Sequence, residues 1–273
     1  MLLGYNTNGL QNHRLDEALR LLADHGYQAV ALTLDVQHLD PYRTTAREVA
    51  ATGSLMDELG LTPVIETGAR FLLDPTRKHE PTLMSRGPKA RDRRLDFYAR
   101  AAGIGRDLGA KVLSFWAGVD PEPGPETAAI LAEGVERACA VVREAGLTPA
   151  LEPEPGMAVE TVAQYQALRD RLGATAPALC LDVGHLYVSG EGEPSDIIPE
   201  VANLLAQVHL EDMRRGVHEH LPPGQGEVDF GEVRQALVAA GYQGAVCFEL
   251  SRHSHAAPET LKICQVAWRS SQH

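Results

Sequence analysis

A glycine followed by a short apolar run recurs along this chain of 273 residues, and the repeat limits the folds that the chain can adopt. Each glycine stands where an amphipathic helix would end, a position that favours positive φ. The copies are Gly26 before 29–34, Gly60 before 62–66, Gly109 before 111–116, Gly146 before 148–152, Gly173 before 177–182 and Gly241 before 245–249. Apolar runs at 2–5 and 204–209 bring the number of predicted strands to eight. Eight alternating strands and helices predict an α/β fold, the (β/α)₈ or TIM barrel.

The length of the chain fits one such barrel, because barrels of about 250 residues form a single domain. We therefore predict one domain over residues 1–273. The alternative, an open doubly wound sheet, would need a glycine-rich phosphate loop after its first strand. The segment from Gly4 to Gly9 reads GYNTNG, which does not match that loop, and the chain contains no Walker A sequence.

Four of the predicted strands in the second half of the chain end in a residue that can bind a metal ion. These residues are Glu152, Asp182, His209 and Glu249, separated by 30, 27 and 40 residues. Each interval corresponds to about one strand and one helix. In a parallel barrel the carboxyl ends of the strands meet at one mouth, where catalytic residues lie. Three carboxylates and one imidazole at that mouth would suit a divalent cation.

Charge and cysteine content narrow the class of protein. The formal net charge of −12 argues against broad binding of nucleic acid or of anionic membranes, since both require a basic surface. No secretion signal and no bilayer-spanning apolar stretch is recognised in the sequence. The four cysteines are scattered without metal-binding or disulfide spacing. We expect them to be buried, reduced thiols of a cytoplasmic protein.

Three segments resemble a known superfamily. They are LDVGH (181–185), the stretch from Val208 to Arg215, and HEHLPPGQGEVDF (218–230), whose last eleven residues are the most diagnostic. The chain resembles the xylose-isomerase-like TIM barrels, which include sugar isomerases, epimerases and related lyases. Strand order extends the resemblance over nearly the whole chain, while the specific motifs lie within residues 150–250.

This resemblance implies a metal centre and a set of residues that contact the substrate. Glu152, Asp182, His209 and Glu249 would bind Mn²⁺, Mg²⁺, Co²⁺ or Zn²⁺, with Glu152 and Glu249 also acting as the acid and base. His185 and Arg215 match substrate-contacting positions of the family, whereas a surface salt bridge is the other interpretation of Arg215. Trp116 and Phe71 could stack on a sugar, or could be packing residues.

A second cation could bind to His185, His218 and His220. These histidines fall where the endonuclease IV branch of the superfamily holds a third metal ion, although His218 replaces an Asp. That branch also needs histidines after the third and fourth strands, where this chain has Glu66-Thr67 and Trp116-Ala117. The simpler interpretation is that His218 and His220 shape a loop and bind substrate or water.

The function implied by the resemblance is a sugar or sugar-phosphate isomerase or epimerase. Such an enzyme removes a proton from the carbon beside a carbonyl, and a cation stabilises the resulting enediolate. An inosose-dehydratase-like lyase, an endonuclease and a non-catalytic barrel remain as alternatives. The expected partner is a small carbohydrate, and oligomers of identical subunits are common among relatives. Residues 74–94 carry seven Lys and Arg residues and form either a cationic lid or a solvated loop leading into a helix.

Overall fold

Parallel strands closed into a barrel form the centre of the computed structural model, which describes residues 1–270. Within these residues the strands are β1 (Leu2–Asn6), β2 (Ala29–Thr33), β3 (Thr62–Glu66), β4 (Val112–Phe115), β5 (Thr148–Leu151), β6 (Ala178–Asp182), β7 (Leu205–Leu210), β8 (Asp212–Arg214), β9 (Val217–Leu221) and β10 (Ala245–Phe248). The barrel has the order β1-β10-β7-β6-β5-β4-β3-β2, and β8 and β9 form a separate antiparallel pair. The predicted (β/α)₈ barrel is confirmed. The predicted domain, 1–273, includes residues 271–273, which lie outside the described part of the chain.

Helices surround the barrel on its outer side. Over residues 1–270 they are α1 (Leu15–Asp24), α2 (Ala46–Leu59), α3 (Pro88–Asp107), α4 (Thr127–Glu144), α5 (Val162–Leu172), α6 (Val183–Ser189), α7 (Pro194–Val201), α8 (Phe230–Ala239) and α9 (Ala257–Ser270). None of these helices has both the length and the apolar character needed to cross a bilayer.

The six glycines that the sequence placed at helix ends all adopt positive φ, between 56° and 85°. At Gly60 the φ is 66°, and its backbone N–H bonds back to the carbonyl of Asp57 as α2 ends. Residues with a Cβ rarely adopt this conformation. The repeated glycine therefore follows α1, α2, α3, α4, α5 and α8 and turns the chain toward its next strand.

Side chains on the inner face of the barrel change from small to polar along the strands. Successive residues of a strand point to opposite faces. On the inner face Ala29, Ala31, Val64, Ala245 and Cys247 form a compact apolar cluster. Larger apolar residues, such as Val30 and Leu32, belong to the main core on the outer face.

This alternation determines where the predicted ligands lie. Glu249 stands two residues beyond Cys247 and therefore faces the same inner side. By the same spacing Glu152 follows Ala150, Asp182 follows Cys180, and His209 follows Gln207. The four cysteines are buried and free, as the sequence predicted.

Candidate metal centre and its cavity

The four predicted ligands come together at the carboxyl end of the barrel. One potential ligand atom from each of Glu152, Asp182, His209 and Glu249 lies within 4.8 Å of the others. Nδ1 of His209 is 2.8 Å from Oε1 of Glu152 and 3.1 Å from Oε2 of Glu249. Asp182, Glu152 and His209 are buried, and Glu249 is mostly buried. Like charges gathered in a dry site repel one another, so this arrangement requires a positive charge among them.

The donor atoms fit a divalent cation. Oδ2 of Asp182 is buried and makes no hydrogen bond within residues 1–270, although Nε2 of His185 lies 3.5 Å away. Burial opposes a charge on His209, yet Cys180 and Glu152 beside it raise its pKa well above the usual value. Burial likewise opposes a charge on Glu249, but the hydrogen bond from His209 lowers its pKa well below the usual value. An imidazolium between carboxylates thus supplies the balancing charge that a cation would supply in its place.

Neighbouring amides hold two of the ligands in position. Nδ2 of Asn6 donates to Oε2 of Glu249 at 3.0 Å, and Nδ2 of Asn8 donates to Oε1 at 2.8 Å. The Gln207 amide lies 2.6 Å from Nε2 of His209. Turned so that its oxygen faces Nε2, Gln207 would accept the Nε2 proton, and Nδ1, which holds the proton shared with the carboxylates, is then the nitrogen that a cation would bind in place of that proton. None of the three amides was predicted from the sequence, although the position of Gln207 two residues before His209 places both side chains on the inner face.

Two further carboxyl groups face the ligands. Glu66, at the end of β3, has an unpartnered buried Oε2 within the described chain, and its pKa is raised to about 7 by burial and by Glu249. Burial and the adjacent Asp182 raise the pKa of Glu211 well above its usual range. These groups are therefore protonated far more readily than exposed carboxylates.

The three histidines proposed for a second cation also form a cluster. The His185 ring centroid is 5.0 Å from that of His218 and 6.2 Å from that of His220. One nitrogen from each lies within 4.8 Å of the others. Burial lowers the pKa of His185, but Asp182 and Glu154 outweigh it and raise the value to about 9. Burial and the neighbouring histidines lower the pKa of His218 to about 4.

A single carboxylate anchors the loop that follows this cluster. Oδ2 of Asp212 accepts from the backbone N–H groups of Gly224, Gln225 and Gly226 at 2.8 to 3.0 Å. Its Oδ1 accepts from Met213 and Val228, both at 3.0 Å. The motif from His220 to Phe230 therefore wraps around Asp212. This wrapping fixes the end of β9, which carries His218 and His220.

A cavity of about 370 Å³ opens above the ligands. The sequence-predicted residues that line it are Phe71, Trp116, Glu152, His185, His218, His220 and Glu249, and Glu154 lines it as well. Trp116 is buried, whereas half of the Phe71 side chain is exposed at the rim. Glu154, which follows Glu152 by two residues, comes within 3.8 Å of both His185 and His218.

A buried arginine supports Trp116 from behind. The Arg94 guanidinium lies 4.9 Å from the Trp116 ring centroid and donates to the carbonyls of Pro81, His79 and Thr67. Arg94 itself is buried, although the basic segment 74–94 does lead into a helix, α3, as one interpretation of its sequence predicted. Elsewhere in the segment Arg77 pairs with Asp74 and Arg86 with Asp120.

Arg215 is not brought into this cavity. Its guanidinium pairs with Glu193 and Glu227 and lies over the Tyr187 ring on the outer surface. This placement matches the salt-bridge interpretation of the sequence rather than the substrate contact.

A family model described as xylose isomerase-like TIM barrel matches residues 19–267 of this chain. The L-ribulose-5-phosphate 3-epimerase UlaE of Shigella flexneri serotype 5b (strain 8401) is 24% identical over 257 residues, which cover 91% of this chain and 87% of that protein. The inosose dehydratase of Bacillus thuringiensis (strain Al Hakam) is 30% identical over 131 residues. That match spans 42% of this chain and less than half, 44%, of the dehydratase.

Solved structures show the same fold at low sequence identity. The D-allulose 3-epimerase of Methylomonas sp. superposes with a TM-score of 0.78 at 18% identity, over 99% of this chain and 98% of that one. At this identity the likeness shows that the two chains share the barrel fold.

Proposed function

This chain belongs to the xylose isomerase-like TIM-barrel family, and we propose that it is a divalent-metal-dependent isomerase or epimerase of a sugar or sugar phosphate. Its similarity to an L-ribulose-5-phosphate 3-epimerase over most of both chains supports this class of reaction. The proposed substrate is a small carbohydrate with a hydroxyl-bearing carbon beside its carbonyl.

The observation that carries the proposal is the convergence of Glu152, Asp182, His209 and Glu249 within 4.8 Å. The ligand set of carboxylates and one imidazole suits Mn²⁺, Mg²⁺ or Co²⁺ and also accommodates Zn²⁺. When bound, such a cation would act as a Lewis acid toward the carbonyl and hydroxyl oxygens of the substrate.

Glu152 and Glu249 are the proposed acid and base. They follow β5 and β10, which are separated in the barrel by β6 and β7, so their carboxyl groups approach the centre from different sides. One carboxylate takes the proton from the carbon beside the carbonyl, leaving an enediolate. The other carboxyl returns a proton, to the opposite face in an epimerisation. Asp182 and His209 would serve as anchoring ligands.

Other residues would orient the substrate. We propose that His185 contacts a substrate oxygen and that Trp116 packs against the carbon chain, because both line the cavity beside the ligands. A second cation on His185, His218 and His220 stays a prediction, supported by the proximity of their nitrogens. A substrate contact by Arg215 also stays a prediction, and its surface ion pairs do not favour it.

The test is turnover of ketoses and ketose phosphates in D₂O by metal-reconstituted protein. Epimerisation through an enediolate incorporates deuterium at the carbon beside the carbonyl. Glu249→Gln should lose at least about a thousandfold in kcat, as expected for removal of an essential acid-base group. Metal content of the variant is measured in parallel, so that loss of the ion is separated from loss of the base.

Glu58→Gln is the matched control, since Glu58 lies exposed on α2 and should leave kcat unchanged. Near-normal turnover by Glu249→Gln would exclude Glu249 as acid or base. Absence of a stoichiometric cation after reconstitution would exclude the metal-dependent mechanism.

A lyase is the second candidate, favoured by the 30% identity to an inosose dehydratase over 131 residues. It would use the same proton abstraction and then expel a hydroxyl from the next carbon as water. Product analysis by NMR separates the two reactions, because only the lyase product lacks one molecule of water. A cytoplasmic location is consistent with four free thiols, and oligomer formation stays a prediction.

A further inference from the structure

The cavity above the ligands is lined by basic as well as acidic side chains. One part of the cavity is acidic and is lined by the carboxyl groups of Glu66, Glu152, Glu154 and Glu249. Another part is basic and is lined by Arg70, Lys78 and Arg252. The three cations come from separate places, since Arg70 and Lys78 lie between β3 and α3 and Arg252 follows β10. We call Arg70, Lys78 and Arg252 the basic rim. The sequence did not associate these three residues, because only folding brings the two loops together.

The basic rim makes no direct ion pair within residues 1–270, although Asp35, whose pKa is raised by burial, lies near enough to Arg70 for that charge to lower its pKa in part. Within residues 1–270, Lys78 and Arg252 make no hydrogen bond or ion pair through their side chains, and Arg70 bonds only to the neutral amide of Gln11. Other arginines of the same loop are paired, as Arg77 is with Asp74 and Arg86 with Asp120. In a chain of net charge −12, acidic partners are abundant, so three cations left together are unusual.

The rim residues are close enough to repel one another. The pKa of Lys78 is lowered first by partial burial and then by Arg70, with a further contribution from Arg252. Glu154 opposes this effect, but its carboxylate faces His185 and His218 at 3.8 Å. An anion bound between the three cations would relieve their repulsion.

We propose that the basic rim binds the phosphate monoester of a phosphorylated substrate whose other end lies at the ligand cluster. A phosphate monoester carries a charge between about −1.5 and −2 and three acceptor oxygens at neutral pH. Three cationic side chains match that charge and number of acceptors, whereas one bidentate arginine already satisfies a carboxylate. This inference rests on the proposed function, because it assigns the opposite end of the same substrate.

The test compares a pentitol 5-phosphate with the corresponding pentitol by calorimetric titration. Neither compound has a carbonyl, so neither can react. The wild-type protein should bind the phosphate at least about tenfold more tightly, since each charge-assisted contact contributes on the order of tenfold. Lys78→Gln and Arg252→Gln should each remove most of this preference without changing affinity for the pentitol.

Arg20→Gln on α1 is the control, because Arg20 is exposed and distant from the cavity lining, and it should retain the full preference. Equal affinity of the wild type for both compounds would overturn the proposal, as would a preference that survives both rim substitutions. Equally tight, rim-dependent binding of a pentonate would overturn the assignment to phosphate.

Turnover of phosphorylated and unphosphorylated ketoses separates this proposal from the proposed function. If the rim residues are needed for phosphate binding but no ketose is turned over, the proposed reaction is contradicted and the proposed phosphate site is supported. If both ketoses are turned over equally and Lys78→Gln has no effect, the proposed phosphate site is contradicted and the proposed reaction is supported.

Discussion

Nδ1 of His209 lies 2.8 Å from Oε1 of Glu152, although the two residues are separated by 57 positions in the chain. The contact joins the end of β7 to the residue after β5, across the intervening β6. A proton between imidazole and carboxylate holds this contact together, and a metal ion would compete for the same lone pairs.

Metal binding should stabilise the folded chain. Adding Mn²⁺ to metal-free protein should raise the free energy of unfolding by about 2.7 kcal/mol when its concentration is a hundred times Kd. Asp182→Asn should abolish most of this gain, because it removes the charge of a buried carboxylate whose Oδ2 makes no hydrogen bond. Urea unfolding with and without Mn²⁺ measures the effect. Asp170→Asn, an exposed change on α5, should retain it; an equal gain in Asp182→Asn would contradict the assigned site.

Replacing the buried arginine should loosen the loop above the barrel. Arg94→Met keeps an apolar stem against Trp116 but leaves the carbonyls of Pro81, His79 and Thr67 without their donor. We expect a loss of about 2–3 kcal/mol in the free energy of unfolding, because unsatisfied polar groups are costly. Chemical denaturation measures this loss. Arg100→Met, at an exposed pair with Asp96, should cost less than about 1 kcal/mol, and equal losses would contradict the role of Arg94.

Asp212→Asn should release the loop between β9 and α8. Either orientation of the amide turns an NH₂ group toward at least two of the five backbone donors that now contact the carboxylate. We expect faster hydrogen exchange over residues 222–228 and a loss of about 2 kcal/mol in stability. Mass spectrometry of exchanged peptides detects the change. Glu219→Gln on β9 is the control, and unchanged exchange in Asp212→Asn would refute the anchoring role.

Acid should destabilise the protein through His79. Burial lowers the pKa of His79 to about 4, against about 6.5 in an unfolded chain. Between these values the unfolded chain takes up a proton that the folded chain does not, so the free energy of unfolding falls as pH drops from 6.5 to 4. His79→Gln should reduce this fall by on the order of 2 kcal/mol. Urea titrations at pH 7 and pH 4.5 compare the two proteins; an identical fall in both would exclude His79.

The barrel and its four candidate ligands could be predicted because both depend on periodicity. Glycine at helix ends is selected by local backbone conformation, as the positive φ of Gly60 and Gly241 illustrates. Residues at the carboxyl ends of the strands meet at one end of the barrel, regardless of the loop conformations. The positions of Glu152 and Glu249 therefore follow from strand order alone.

The other features of the site depend on contacts between distant loops, and the periodicity of the sequence does not predict such contacts. Arg94 reads as one more basic residue of a charged segment, yet backbone carbonyls and Trp116 enclose it completely. In the sequence Asp212 is simply a polar residue after a strand. Its anchoring role arises because the chain returns at Gly224 to Gly226, whose backbone N–H groups donate to its carboxylate. The sequence left Arg215 between a substrate contact and a surface salt bridge, because a motif position does not determine the direction of a long side chain.

Because β1 pairs with β10, the barrel can close only late in synthesis at the ribosome. The pairing partner of Leu2 is Ala245, so the first strand made waits for the last one to emerge. Until then β1 and β7 both expose an unpaired edge, and such edges promote association between chains. Asn6 and Asn8 are likewise made long before Glu249, the carboxylate that they hold. A nascent chain therefore has no complete centre until β10 and Glu249 have left the exit tunnel.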